Sequence, residues 1–304
     1  MCALFFMYLS DLCKKPNKME LNNKISILLF GLILLFSLFI GFANADNGTP
    51  VISQLIGQAF DGEELFYDIS FFPIPNAAWG KIWFQKNPDG PGYIITLEAR
   101  TRHLLRILTL MRKDLYRSYV EEIDGGKRLR SYRFEKEVTR LGKTRRTITF
   151  ADYSTHKLSW KSWERGKLIK QGEQDYPTTE ILDDPLVAFY NLRYGVYGSM
   201  DYGKSIIIDS IPVRNKATTI TIEVADEKAA EKERKKLLIQ KERDYLLNVQ
   251  LGKEMFDTKS GKIKIWLSKE PGNGYGPFKP VYGVVESVKY LGDVSGVLKM
   301  KKEQ

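Results

Sequence analysis

The chain has 304 residues, 43% hydrophobic and 28% charged, with two cysteines, two histidines and a net charge of +10. That composition excludes a disordered chain, and because both cysteines (Cys2 and Cys13) stand at the extreme N-terminus, the rest of the protein is left without thiol or disulfide. The positive charge is local: from Arg100 to Arg146 fifteen Lys/Arg stand against six Asp/Glu. Such a field attracts anionic surfaces, although Lys and Arg on outer strand faces also keep sheet edges soluble.

Residues 25–42, ISILLFGLILLFSLFIGF, carry no charge, with Lys24 before them and Ala43-Asn44-Ala45 after. A basic flank, an apolar run and a small-x-small site predict a secretory signal peptide over 1–45. Met19 is an alternative start, and an uncleaved segment of this length would serve as an inner-membrane anchor. The expected location is the periplasm, with membrane contact only through that segment. Residues 46–59 read as a linker, 60–298 as one β-rich domain and 299–304 as a tail.

Alternation of period two dominates the domain. Tyr93, Ile95, Leu97 and Ala99 interleave with Ile94, Thr96, Glu98 and Arg100, and Ile148 and Phe150 with Arg145, Thr147 and Thr149. Ile263, Ile265 and Leu267 interleave with Lys262, Lys264 and Trp266, and Tyr282, Val284, Val288 and Tyr290 read as one face. Gly-bearing turns at 87–92, 124–127, 164–167 and 258–262 predict an antiparallel meander of roughly nine to eleven strands. Three segments depart from it. Residues 103–113 read as a short amphipathic helix or apolar lid. Residues 183–195 read as a helix started by Asp and Pro185 and ended by Gly195. Residues 226–247 read as a charged helix or helical hairpin inserted between strands. The expected fold is mainly β, a large curled antiparallel sheet, or half-open barrel, around the 183–195 helix.

Phe60-x-Gly62-Glu63-x-Leu65-x-Tyr67 with Gly80, Asp184-Pro185-Leu186-x-Ala188-x-Tyr190-x-Leu192-Arg193, Trp266-Leu267-Ser268 and Pro280-Val281 together resemble an exported bacterial family, domain of unknown function 3108. The resemblance spans about 60 to 298. It implies a wide, incompletely closed sheet around a helix, similar to periplasmic carriers of lipoproteins and lipids, and no assigned activity.

Catalytic patterns are scarce. His103 and His156 belong to no H-x-x-x-H or H-x-E spacing, GDVSG at 292–296 lacks nucleophile-elbow spacing, and GNGYG at 272–276 precedes no helix. The pairs Glu63/Glu64, Glu121/Glu122 and Asp183/Asp184 are adjacent, so on strands their members point apart. Asp183/Asp184 read as a helix cap, and Glu63 as the partner of a base or of a backbone amide near Gly62. No enzyme activity, metal or cofactor is expected. The candidate ligand-binding residues are Phe66, Phe72, Trp79, Trp83 and Trp266, lining a concavity, with Arg100, Arg102 and Arg106, joined by Arg112 and Arg117, at its mouth. They suit an anionic lipid or other amphiphile. The alternative is an envelope scaffold that binds a protein through strand edges or the 226–247 helix; nucleic acid is not an expected partner.

Overall fold

The computed structural model describes residues 54–102, 112–177, 181–211, 218–237, 244–253, 255–256, 258–268, 276–289 and 291–299. The segment 1–45, expected to be a signal peptide, His103 and the stretch 103–111 lie outside them. The described chain opens with a one-turn helix, α1 (Ile56–Phe60), followed by β1 (Glu64–Phe71), β2 (Ile74–Lys86), β3 (Tyr93–Thr101) and β4 (Lys113–Ile123). Next come β5 (Arg128–Arg140), β6 (Lys143–Asp152), β7 (Lys157–Glu164), β8 (Lys167–Asp175) and the helix α2 (Pro185–Tyr194). The remainder is β9 (Ser205–Ser210), β10 (Thr218–Val224), α3 (Glu227–Leu237), β11 (Asp244–Gln250), β12 (Lys262–Ser268), β13 (Lys279–Val288) and β14 (Gly292–Leu298).

Among the described residues all fourteen strands form one sheet, in the order β8-β7-β6-β5-β4-β3-β2-β1-β14-β13-β12-β11-β10-β9. Two meanders, β1 to β8 and β9 to β14, are joined where the first strand meets the last, with Tyr67 opposite Leu298 and Phe71 opposite Val294. Edges β8 and β9 remain, so the sheet curls without closing into a barrel. The expected architecture is therefore present, with more strands than the alternation indicates. KLIKQGEQD of β8 is almost wholly exposed and GDVSGVL of β14 carries two glycines. Neither shows a strong apolar face, and each is held by the neighbour it pairs with.

Helix α2 lies against β3, β4 and β5 within the curl. Asp184 is its N-cap, accepting from the amides of Leu186 (2.8 Å) and Val187 (3.1 Å), Pro185 occupies the first turn, and Gly195 ends it at φ 93°. A side chain is disfavoured at that left-handed angle, which is why the stop is glycine. Leu186, Val187, Tyr190 and Leu192 are buried, with the Tyr190 ring 4.8 Å from Phe60 and 5.1 Å from Phe84.

Four sequence expectations are corrected. Residues 56–59, assigned to the linker, form with Phe60 the helix α1, with Ile56 and Phe60 buried in the core. The charged insertion is shorter than 226–247: α3 ends at Leu237 and strand β11 begins at Asp244, because Leu246, Leu247 and Val249 supply strand burial. Lys113 begins strand β4 instead of ending a helix. Tyr282 and Val288 do not share a face, because a bulge between Val285 and Val288 inserts one extra residue and reverses the alternation. At the C-terminus, Lys299 is tied to β1, its amide donating to the Phe66 carbonyl at 2.7 Å.

Candidate functional site

The interior is framed by buried polar groups that lock α2 to the sheet. Arg193 is fully buried and forks onto Glu63: Nη1 donates to Oε2 at 2.7 Å and Nη2 to Oε1 at 2.6 Å. Its Nε donates to the carbonyls of Pro277 and Phe278, both at 3.1 Å, and the Phe60 ring lies 4.8 Å from the guanidinium. Glu63 Oε1 also accepts from the Gly276 amide at 2.8 Å. Burial pushes the Glu63 carboxyl up, but Arg193 and the Gly276 amide outweigh it and hold the group below its ordinary value. The expected base partner of Glu63 is thus Arg193, while Glu64 faces the other way, onto Lys81 at 2.6 Å.

Two residues before Arg193 on α2, Asn191 donates to the Leu129 carbonyl (3.0 Å) and accepts from the Leu129 amide (2.9 Å), as a neighbouring strand would. Asp184 accepts from the Ser118 hydroxyl besides capping α2, whereas Asp183 plays no part in the cap. It accepts from Arg128 at 2.9 Å and from the Tyr197 hydroxyl.

Burial pushes the Asp183 carboxyl up to about 6 from 3.8, although Arg128 and Tyr197 pull it down. An acid whose folded pKa exceeds its unfolded value stabilises the fold while protonated. That contribution fades as pH rises through about 6, worth up to about 3 kcal/mol for this shift. The stability difference between Asp183→Asn and the parent therefore moves in favour of the variant from pH 4 to pH 7. Urea denaturation at several pH values measures it; a pH-independent difference would show that Asp183 ionises in the fold as readily as in the unfolded chain.

Between α2 and the concave face lies an apolar cavity of about 360 Å³. Phe189 and Leu192 of α2 line it with Ile69, Leu97, Ala99, Ile222, Val249 and Ile265 of the strands. Ala78, Gly80 and Ala99 of β2 and β3 are small residues in the lining, and a Cβ at Gly80 would come within 3.1 Å of the Ile69 side chain. A second cavity, of about 380 Å³, adjoins it toward β5–β8 and shares Pro185, Ile220, Leu251 and Met255 with it. Its lining includes Lys136, Arg145, Lys170 and several hydroxyls.

The candidate rings do not line this interior. Phe66, Trp79 and Trp83 stand on the opposite, convex face, in register with Lys81, Asp68 and Glu64 respectively. There Lys81 lies 4.9 Å from both the Phe66 and Trp83 rings and Arg100 lies 5.7 Å from Trp79. Phe72 is 92% exposed at the β1–β2 hairpin tip. Trp266 is fully buried on the convex face beneath α3, packed with Ala225, Ala230 and Leu246, and Arg234 lies 5.7 Å over its ring. The physical reason is parity: the concave set is Tyr67, Ile69, Gly80, Ile82 and Ile265, and the rings fall between its members.

Nor do the arginines converge. Arg100 and Arg112 reach the rim of the apolar cavity, already paired with Glu98 (2.6 Å) and Asp114 (2.8 Å). Arg102 pairs with Asp68, and Arg117 lies 3.7 Å from Glu135. Arg106 lies outside the described residues. What sequence reasoning missed is the set Lys136, Arg145, Thr147 and Thr149. Their alternation was visible, yet the apolar partners Ile148 and Phe150 made the other face look like the interior.

Among the described residues no cluster of His, Cys, Asp and Glu is arranged to hold a metal, and no helix is long and apolar enough to cross a membrane. In sequence, no curated protein matches the chain. In structure it is similar to a crystal structure from Brucella abortus described as a beta-barrel-like protein of domain of unknown function DUF1849. Identity there is 12% and the TM-score 0.42, over 79% of this chain and 96% of the other. A family model described as protein of unknown function (DUF3108) matches residues 67–283. That stretch contains Arg193, and Glu63 stands just ahead of it. The chain belongs to the DUF3108 family.

Proposed function

We propose that the protein binds a hydrophobic or amphiphilic molecule of the cell envelope in its interior and performs no reaction on it. The observation that carries this reading is the apolar cavity of about 360 Å³ between α2 and the concave sheet face. Binding sites for small molecules are concave and mostly apolar, and of this size. An acyl chain would remove the exposed carbon of Ile69, Leu97, Phe189 and Ile265 from water, at about 25 cal/mol per Å² buried. The buried acids nearby support binding more than catalysis: Glu63 and Asp184 are engaged by Arg193, backbone amides and Ser118. The export signal read from the sequence would place such a binder in the periplasm.

Native mass spectrometry of protein purified from the periplasm is expected to show a lipid-sized adduct, and the apo protein to take up a fluorescent fatty acid. Ala99→Trp, which fills the cavity from β3, is expected to weaken that uptake by about tenfold or more while the protein remains folded. A clean apo mass together with no uptake by the parent protein would overturn the proposal.

A further inference from the structure

The cavity beside the apolar one has a floor of unusual composition for the inside of a curled sheet. Lys136 stands opposite Thr147, Thr147 opposite Ser162, and Ser162 opposite Lys170, a straight row across β5, β6, β7 and β8. With strands about 4.8 Å apart, the two lysine backbones are about 14 Å from each other. Two lysine side chains can converge over that span on one small anion. The middle of the row is the hydroxyl pair of Thr147 and Ser162, 2.9 Å apart. Arg145 lines the same cavity, two residues along β6 from Thr147, and among the described residues no acidic side chain lines it.

Charge pairing sets Arg145 and Lys170 apart. Arg193, Arg128, Arg102 and Arg112 each hold a carboxylate. By contrast, among the described residues the side chains of Arg145 and Lys170 form no ion pair or hydrogen bond. Lys136 is steadied at the seam, donating to the Met255 carbonyl at 2.9 Å, and Met255 lines both cavities. Trp160 lines the polar cavity too, and its buried indole N–H has no acceptor among the described residues. A donor left unmade in this way is costly, and a bound acceptor would remove the cost.

We propose that this cavity receives the oxyanion headgroup, phosphate or carboxylate, of the same amphiphile whose chain occupies the apolar cavity, with Lys136, Arg145 and Lys170 as its counter-charges. This rests on the binding reading above and adds the polarity of the ligand and the direction in which it lies, chain toward β1–β3 and head toward β6–β8.

The test is displacement of the neutral probe N-phenyl-1-naphthylamine from the purified protein by dodecyl phosphate, dodecanol and dodecyltrimethylammonium. Dodecyl phosphate is expected to bind about tenfold or more tightly than dodecanol, and the ammonium more weakly than either. Arg145→Gln combined with Lys170→Gln, both at exposed positions, is expected to abolish that preference and leave dodecanol binding unchanged. Lys170→Glu alone should act in the same direction. Equal affinities for phosphate and alcohol, or a preference that survives the double substitution, would overturn the headgroup site while the binding reading stands. No probe binding and no displacement would overturn both. Inorganic phosphate is expected not to compete; if it removes the preference for dodecyl phosphate at equal concentration, the site serves a free anion and the linked-headgroup proposal falls.

Discussion

Arg193→Met is expected to lower the unfolding free energy by about 3–5 kcal/mol, because it leaves the Glu63 carboxylate buried without its counter-charge. Glu63 is 2% exposed and Arg193 0%, so water reaches neither side of the pair. The residue also holds the carbonyls of Pro277 and Phe278 and lies against Phe60, so one side chain ties α2 to α1 and to the approach to β13. At roughly 2–4 °C per kcal/mol for a domain of this size, the melting temperature should fall by about 6–20 °C. Glu63→Gln should cost a similar amount, and Arg193→Lys should not rescue, since an ammonium cannot reproduce the two-pronged contact. The double variant Glu63→Leu/Arg193→Met should lose less than the two single losses added together. Because the Glu63 carboxyl is held below its ordinary 4.5, the pair's contribution is intact above that pH and is lost as pH falls through the lower folded value. A loss under about 1 kcal/mol in Arg193→Met would show that the pair does not hold the helix in place.

The second large effect is expected at Trp266, the largest fully buried side chain. Trp266→Ala should cost about 3–5 kcal/mol in urea denaturation, since it empties a site enclosed by Ala225, Ala230 and Leu246. The indole N–H has no acceptor among the described residues, so no hydrogen bond of the indole adds to the packing loss. Arg234→Ala removes the cation above the ring and the ion pair to Glu231 within α3, and should cost about 1 kcal/mol. Ala230 is 2% exposed at the underside of α3, so Ala230→Lys should unseat the helix and approach the cost of the tryptophan variant. If Ala230→Lys were neutral, α3 would not be the lid over Trp266. The same contact bears on the reading of this charged helix as a protein-binding handle: deleting 228–243 would strip cover from the convex face.

Much of the fold was legible in local pattern. Asp184, Pro185 and Gly195 mark α2 because a cap, a fixed φ and a left-handed stop act within a few residues. The alternation of β3 and β12 and the glycines of their turns are likewise local, and they carry the antiparallel meander. Less legible were the exposed edge strand β8, held by its hairpin with β7, strand β14, which pairs with the distant β1, and the bulge in β13 that reverses its faces. The candidate site was the least legible part. Alternation separates two faces of a strand but carries no label for which one is concave, and here both faces bear rings or aliphatic groups.

The sequence by itself determined the class of the fold, the place of the inner helix and the family, because capping, period-two patterning and turn chemistry are short-range and the motif residues are fixed in type. Only the tertiary structure decided that Glu63 meets Arg193 across 130 positions, that Trp266 lies under α3, and that Phe66, Trp79 and Trp83 face outward. It likewise decided that Lys136, Thr147, Ser162 and Lys170 form one row facing inward. The physical reason is that curvature and the pairing of the first strand with the last are properties of the whole sheet, and they determine which face becomes the interior.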